Sequence, residues 1–133
     1  MRDVRFAAHR ERPIPPRAVR ELYDHVGWER PGDEGDIAEV LEAGSALGAW
    51  DTDRLIGFVR ALTDGHFAAY VEDVMVHEAY RGRGVGERLL SLLLAEIGDV
   101  ANVNLFCEPP VVQFYEDSGF ERTSYVLMRR TGA

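Results

Sequence analysis

The chain has 133 residues, 46% of them hydrophobic and 29% charged, a length that fits one compact domain (1–133) able to bury about 68% of its unfolded surface without a disulfide or metal staple. Its 15 basic residues, all arginine, face 23 acidic ones for a formal net charge of −8, which disfavours non-specific contact with nucleic acid or anionic lipid. A single cysteine, Cys107, excludes an intramolecular disulfide framework and a multi-cysteine zinc site and fits a reducing, cytoplasmic setting. The charged opening MRDVRFAAHR and the short apolar stretch LLSLLLAEI match neither a secretory leader nor a membrane span.

RFAA reads as a short strand followed by the proline turn PIPP. Pro16 suits a first helical turn, and Val19, Leu22, Tyr23 and Val26 recur at helical spacing until Gly27 ends the helix. ERPGDEGD reads as loop, with Asp36 placed to cap a second helix whose apolar face is Ile37, Val40 and Leu41. ALGAW, RLIGFVRAL and HFAAYVEDVMV, separated by DTD and TDG, predict three consecutive antiparallel strands, with Asp64-Gly65 as a tight hairpin turn. Leu89, Leu90, Leu93, Leu94 and Ile97 predict an amphipathic helix, and NVNLFC a buried strand. Pro109-Pro110 opens a further helix, VVQFYEDS, ended by Gly119, and SYVLMRR closes the chain as a strand. The order β-α-α-β-β-β-α-β-α-β predicts an α+β fold, a mixed and mostly antiparallel sheet flanked by helices.

RGRGVG at 81–86 joins a strand to a helix, where phosphate-binding loops occur. A dinucleotide fingerprint starting at Gly82 would need glycine where Glu87 stands, and a P-loop would need Gly-Lys where Glu87-Arg88 stands. The helix starting near Val85 has no Ser, Thr, Asp or Asn to cap it, so its first N–H groups are left for another acceptor. Glycines at 82, 84 and 86 allow close approach of an anion, and Arg81, Arg83 and Arg88 add positive potential. On spacing alone, a solvated glycine-rich turn remains the alternative.

YVEDVMVHEAYRGRGVGERLL resembles the signature region of the GCN5-related N-acetyltransferases (GNAT), a strand followed by (Gln/Arg)-x-x-G-x-G, here Arg81 to Gly86. QFYEDSGF at 113–120 is similar to that family's aromatic-Tyr helix followed by Gly-Phe. The resemblance implies acetyl-CoA as cofactor, bound through Arg81, Gly82, Arg83, Gly84, Val85, Gly86, Glu87 and Arg88, with backbone N–H near Met75 and Val76 meeting the oxyanion. It implies Tyr115 as the general acid toward the coenzyme A thiolate. The adjacent Glu72 and Asp73 resemble the pair in polyamine acetyltransferases, Glu72 as base and Asp73 as a holder of cationic substrate. Read without the resemblance, Phe114 and Tyr115 are core aromatics, Glu72 is an outward strand carboxylate, and Asp73 faces away from Glu72 in a regular strand, where a structural hydrogen bond to a neighbouring loop is the alternative to substrate contact. Many family members carry Asn seven residues before the tyrosine; Glu108 and two prolines stand here.

His9, His25, His66 and His77 show no metal-ligand spacing, and Cys107 reads as a small apolar strand residue. Asp33, Glu34, Asp36 and Glu39 read as a solvated acidic face that draws cations toward the cleft. The expected activity is acetyl transfer to a small-molecule amine, without metal, nucleic-acid or membrane partners, in a chain whose relatives often pair as homodimers. An idle acyl-CoA-binding module and a protein N-terminal or lysine acetyltransferase are the alternatives.

Overall fold

A computed structural model describes residues 3–30 and 32–132. Strands β1 (Val4–Ala8), β2 (Ser45–Asp51), β3 (Arg54–Thr63) and β4 (Ala68–Val76) pair antiparallel in chain order, and β5 (Asn102–Asn104) joins β4 in parallel. Helices α1 (Pro16–Val26) and α2 (Glu34–Ala43) connect β1 to β2, and α3 (Val85–Ile97) connects β4 to β5. A 3₁₀ turn at Pro109–Val111 leads into α4 (Val112–Asp117). The mixed, mostly antiparallel sheet is flanked by helices, the α+β arrangement expected. Among the described residues no helix is long and apolar enough to cross a membrane.

Each face of the sheet has its own core, because strand side chains alternate between faces. Leu89, Leu90 and Leu93 of α3 pack on Ala49, Ile56, Val59, Ala61 and Val71. On the other face Val19, Leu22 and Tyr23 of α1 and Ile37 and Leu41 of α2 pack on Trp50, Phe58 and Met75. Close approach of α3 depends on Gly57, where a Cβ would stand 2.9 Å from Leu89 Cδ1.

A bulge in β4 decides where the site residues point. Phe58 faces Met75 and Arg60 faces Glu72, so the register shifts between Phe58 and Arg60 and leaves one extra residue on β4. Asp73 takes up that extra residue with φ of 60°, a conformation uncommon outside glycine. Alternation is broken there, and Glu72 and Asp73 both turn to the α1/α2 face, contrary to the opposite-face expectation.

Other differences are local. Asp33, rather than Asp36, is the N-cap of α2; Asp36 serves three residues later, the two carboxylates each accepting the other's backbone N–H at 2.9 Å. The β3–β4 connection is not a two-residue hairpin but a loop over 64–67, in which Asp64 accepts N–H bonds from His66, Phe67 and Ala68. These bonds hold the Asp64 carboxyl below its ordinary range. NVNLFC forms only a short, half-exposed strand, and Cys107 is partly buried. SYVLMRR forms no strand. Tyr125, Val126, Leu127 and Met128 are 88%, 81%, 57% and 87% exposed, since strand-forming side chains give a strand only where a neighbouring ladder pairs with them.

Leu89→Ala removes side-chain contacts at a site with 0% exposure, and should cost about 2–5 kcal/mol. Urea denaturation checks this, and an unchanged midpoint would place Leu89 outside the core.

Candidate functional site

The segment after β4 is built to leave donors open. His77 caps a 3₁₀ turn at Glu78–Tyr80, and Gly84, at φ of 77° with no side-chain cap, is the N-cap of α3. Gly82 shares that φ, and a Cβ at either glycine would meet nothing within 4 Å. The first helical bond of α3 runs from Arg88 N–H to Gly84 O at 3.0 Å, so the N–H groups of Val85, Gly86 and Glu87 have no acceptor within the helix. Arg81, Arg83 and Arg88 are exposed around this end. Arg81 Nε donates to Val76 O at 3.0 Å, and the Arg83 guanidinium lies 5.6 Å from the Tyr80 ring centroid. The Tyr80 hydroxyl donates to Asp51, tying the turn to the end of β2.

A cleft of about 540 Å³ runs from this loop along β4, lined by Gly82, Gly84 and Gly86, by Val74, Met75 and Val76, and by Phe114 and Tyr115. It exists because β4 and β5 part company: their pairing ends at Tyr70 and Asn104. His77 N–H is spent on Ile56 O of β3 at 2.7 Å. Ladder alternation then turns Met75 N–H toward β3 as well, and Val76 N–H toward the open edge. Of the two residues expected to meet an oxyanion, only Val76 presents its N–H to the cleft; Met75 contributes a side chain that is 1% exposed. Gly86 keeps the far wall near, since a Cβ there would stand 3.2 Å from Phe114 Cζ.

Tyr115 reaches the cleft from α4. Its ring packs edge-on against Phe114 at 5.0 Å and Phe120 at 6.0 Å, and among the described residues its hydroxyl makes no hydrogen bond. Burial, with a smaller push from Cys107, raises the phenol to about 12, so it stays a proton donor at neutral pH. Glu108 is exposed on the turn before α4.

Glu72 and Asp73 do not stand open. Glu72 accepts from Arg30 Nη2 at 3.2 Å and from Arg60 Nη2 at 2.7 Å. Asp73 accepts from Arg30 Nη2 and the Tyr23 hydroxyl, each at 2.5 Å, and from Arg60 Nε at 2.7 Å. The Asp73 side chain is 2% exposed. With its oxygens occupied and water excluded, the expected contact with a cationic substrate gives way to a structural bond. Burial opposes the charge of both guanidiniums, but Asp73 and Glu72 hold Arg30 and Arg60 above their ordinary values. The Tyr23 phenol is pushed up to about 12, by burial first and then by its bond to Asp73. Arg20 fixes the α1–α2 loop over this cluster, donating to Arg30 O at 2.9 Å and Gly32 O at 2.7 Å.

Sequence reading missed Tyr23, Arg30 and Arg60. Tyr23 was absorbed by the helical repeat and Arg30 lay in a loop, but an arginine amid the apolar run of β3 is a signal that a buried carboxylate waits for it.

The acetyltransferase (GNAT) family model matches residues 8–120. The chain is 41% identical over 116 residues to histone acetyltransferase TAP1 of Glycine max, covering 77% of this chain and 50% of that protein. It is 34% identical over 110 residues to the chloroplastic serotonin N-acetyltransferase 2 of Oryza sativa subsp. japonica, covering 77% of this chain and 54% of that one. The crystal structure of a candidate acetyltransferase from Deinococcus radiodurans R1 superposes with a TM-score of 0.82 at 32% identity, covering 96% of this chain and 89% of that chain. The chain spans about half the length of these two curated relatives and about 60% of several others, plastid and cyanobacterial N-acetyltransferases among them.

Titrating phenolate absorbance should show a component near pH 12 that loses one tyrosine in Tyr115→Phe. The raised folded value means that the unfolded chain releases its proton first, near 10. The stability that Tyr115 and Tyr23 contribute should therefore be complete below pH 10 and decline as pH rises toward 12.

Proposed function

Because the chain belongs to the GNAT acetyltransferase family, we propose that it is an acetyl-CoA-dependent N-acetyltransferase acting on the primary amine of a small molecule by direct attack on the thioester. The observation that carries this reading is the cleft itself. An uncapped helix end with open glycines lies at one end, and the unbonded hydroxyl of Tyr115 lies along the same surface. In this reading residues 1–133 act as one catalytic unit, and the free Cys107 accords with a reducing, cytoplasmic setting.

The residues fit acetyl-CoA. The N–H groups of Val85, Gly86 and Glu87 and the charges of Arg81, Arg83 and Arg88 suit its pyrophosphate. Val74, Val76 and Phe114 would flank its pantetheine arm, whose methylene and methyl groups suit apolar walls. When bound, acetyl-CoA supplies the acetyl group as a thioester. Val76 N–H then donates to the carbonyl oxygen as negative charge builds there. Glu72 takes a proton from the acceptor ammonium through ordered water, because its own oxygens are engaged by Arg30 and Arg60. The freed amine would form the C–N bond as the C–S bond breaks; Tyr115 would give its proton to the departing sulfur, and the phenolate would regain one from the new amide nitrogen, which has a proton to lose. Asp73 touches nothing that reacts and holds Arg30, Arg60 and Tyr23 in place. The protein-acceptor alternative is supported by the soybean relative named as a histone acetyltransferase; turnover with peptides but not small amines would favour it.

Coenzyme A at about 100 times its dissociation constant should stabilise the fold by about 2.7 kcal/mol, read as a rise in melting temperature. Gly84→Glu should abolish that rise, since it sets a carboxylate before the helix end, and a persistent rise would move the pyrophosphate elsewhere.

Glu72→Gln and Tyr115→Phe should each lower thiol release from acetyl-CoA by about 10²-fold at neutral pH. Raising pH should restore part of the loss in Glu72→Gln only, as free amine accumulates. Wild-type turnover in Tyr115→Phe with coenzyme A affinity retained would leave the phenol a packing role alone.

A further inference from the structure

On the α1/α2 face of β4, next to the stretch that lines the cleft, two guanidiniums occupy a carboxylate pair that was expected to stand open to an amine. The bulge at Asp73 brings Glu72 and Asp73 to one face, the arrangement that would clamp a linear polyamine if the oxygens were open. They are not: Arg30 and Arg60 together engage both oxygens of each carboxylate. The Arg60 side chain is 12% exposed and that of Arg30 is 35% exposed, so Arg30 is the guanidinium more open to solvent. Asp33 and Asp36 of the acidic segment are spent on the cap of α2.

The same face offers rings. Tyr70 lies two residues before Glu72 on β4 and stacks on Phe106, with centroids 5.7 Å apart and planes at 16°. Phe106 is 45% exposed, and the Arg129 guanidinium stands 5.1 Å from its centroid. Trp28, also 45% exposed, lines the cleft beside Met75 and Tyr115 from the α1–α2 loop. A substrate with several ammonium groups would set them against Arg30 and Arg129, a like-charge juxtaposition that binding sites use for exclusion. A single amine on a flat apolar body meets rings and one charge-compensated carboxylate.

Building on the acetyl-transfer reading, we propose that the acceptor is a monoamine carried on an aromatic body, and that Arg30 is the specificity-determining residue that excludes polycations from Glu72 and Asp73. Tyr70, Phe106 and Trp28 provide the surface for the aromatic body, and Arg20 fixes the loop that carries Arg30.

The test compares kcat/KM for 2-phenylethylamine, spermidine and an arginine- and lysine-rich peptide in wild type, Arg30→Gln and Phe106→Ala, with the coenzyme A melting shift measured in each. The wild type should prefer 2-phenylethylamine to spermidine and to the peptide by at least about tenfold. Arg30→Gln should cut that preference about tenfold by gaining spermidine turnover. Phe106→Ala, at an exposed position that leaves the ion pairs intact, should raise KM for 2-phenylethylamine about tenfold while kcat is kept. A wild type that prefers spermidine or the basic peptide would overturn the proposal, as would an Arg30→Gln variant that retains the coenzyme A shift and changes all acceptors equally. No turnover with any amine, despite a full coenzyme A shift, would overturn the acetyl-transfer reading itself.

Discussion

The structure turns on one residue held in an uncommon backbone state. Asp73 sits inside a strand at φ of 60°, a conformation that costs about 1–3 kcal/mol for a residue with a side chain. What holds it there is the cluster of Tyr23, Arg30 and Arg60, drawn from α1, the α1–α2 loop and β3. The cost of taking these charges from water is offset only because each carboxylate oxygen finds a donor, so the cluster is bound to its geometry and not merely to its charges. One bulge thereby anchors the α1–α2 loop and sets the direction of Glu72. It also divides β4 into a half that pairs with β5 and a half that does not.

The unpaired half is what gives the fold a site. Parallel pairing between β4 and β5 stops at Tyr70 and Asn104, and from there the outer edge of β4 faces a cleft instead of a strand. An edge strand normally invites further pairing, but here the edge lies beside α3 and α4, whose Gly86 and Phe114 leave a space with apolar walls. A chain with net charge −8 attracts anions poorly through its overall field. Backbone N–H groups at a helix end act at contact range, where the distant carboxylates are screened.

Much of this was legible in the sequence where a pattern is local. The leucine spacing of α3, the proline start and glycine end of α1 and the open glycines at 82 and 84 each follow from neighbours within a turn or two. So was the family, because its two motifs lie within short segments joined by one helix and one strand. The cap of α2 was misplaced by three residues because Asp33 and Asp36 both have capping chemistry, and only the path of the backbone chooses between them.

What the sequence determined by itself was the order of elements from β1 to α4 and the residue types present at the loop and at 115, all set by periodicity and residue type over short spans. Tertiary structure decided the rest. The bulge is a relation between two strands, so no count along β4 alone could reveal that Glu72 and Asp73 share a face. The partners of those carboxylates come from 12 to 50 residues away in the chain, and their pairing turned an expected clamp for cations into a neutralised cluster. SYVLMRR carries the side chains of a strand, yet stays exposed because a strand exists only when another supplies the matching ladder. That partner is a property of the folded chain, set by which edges the packing of the helices leaves within reach.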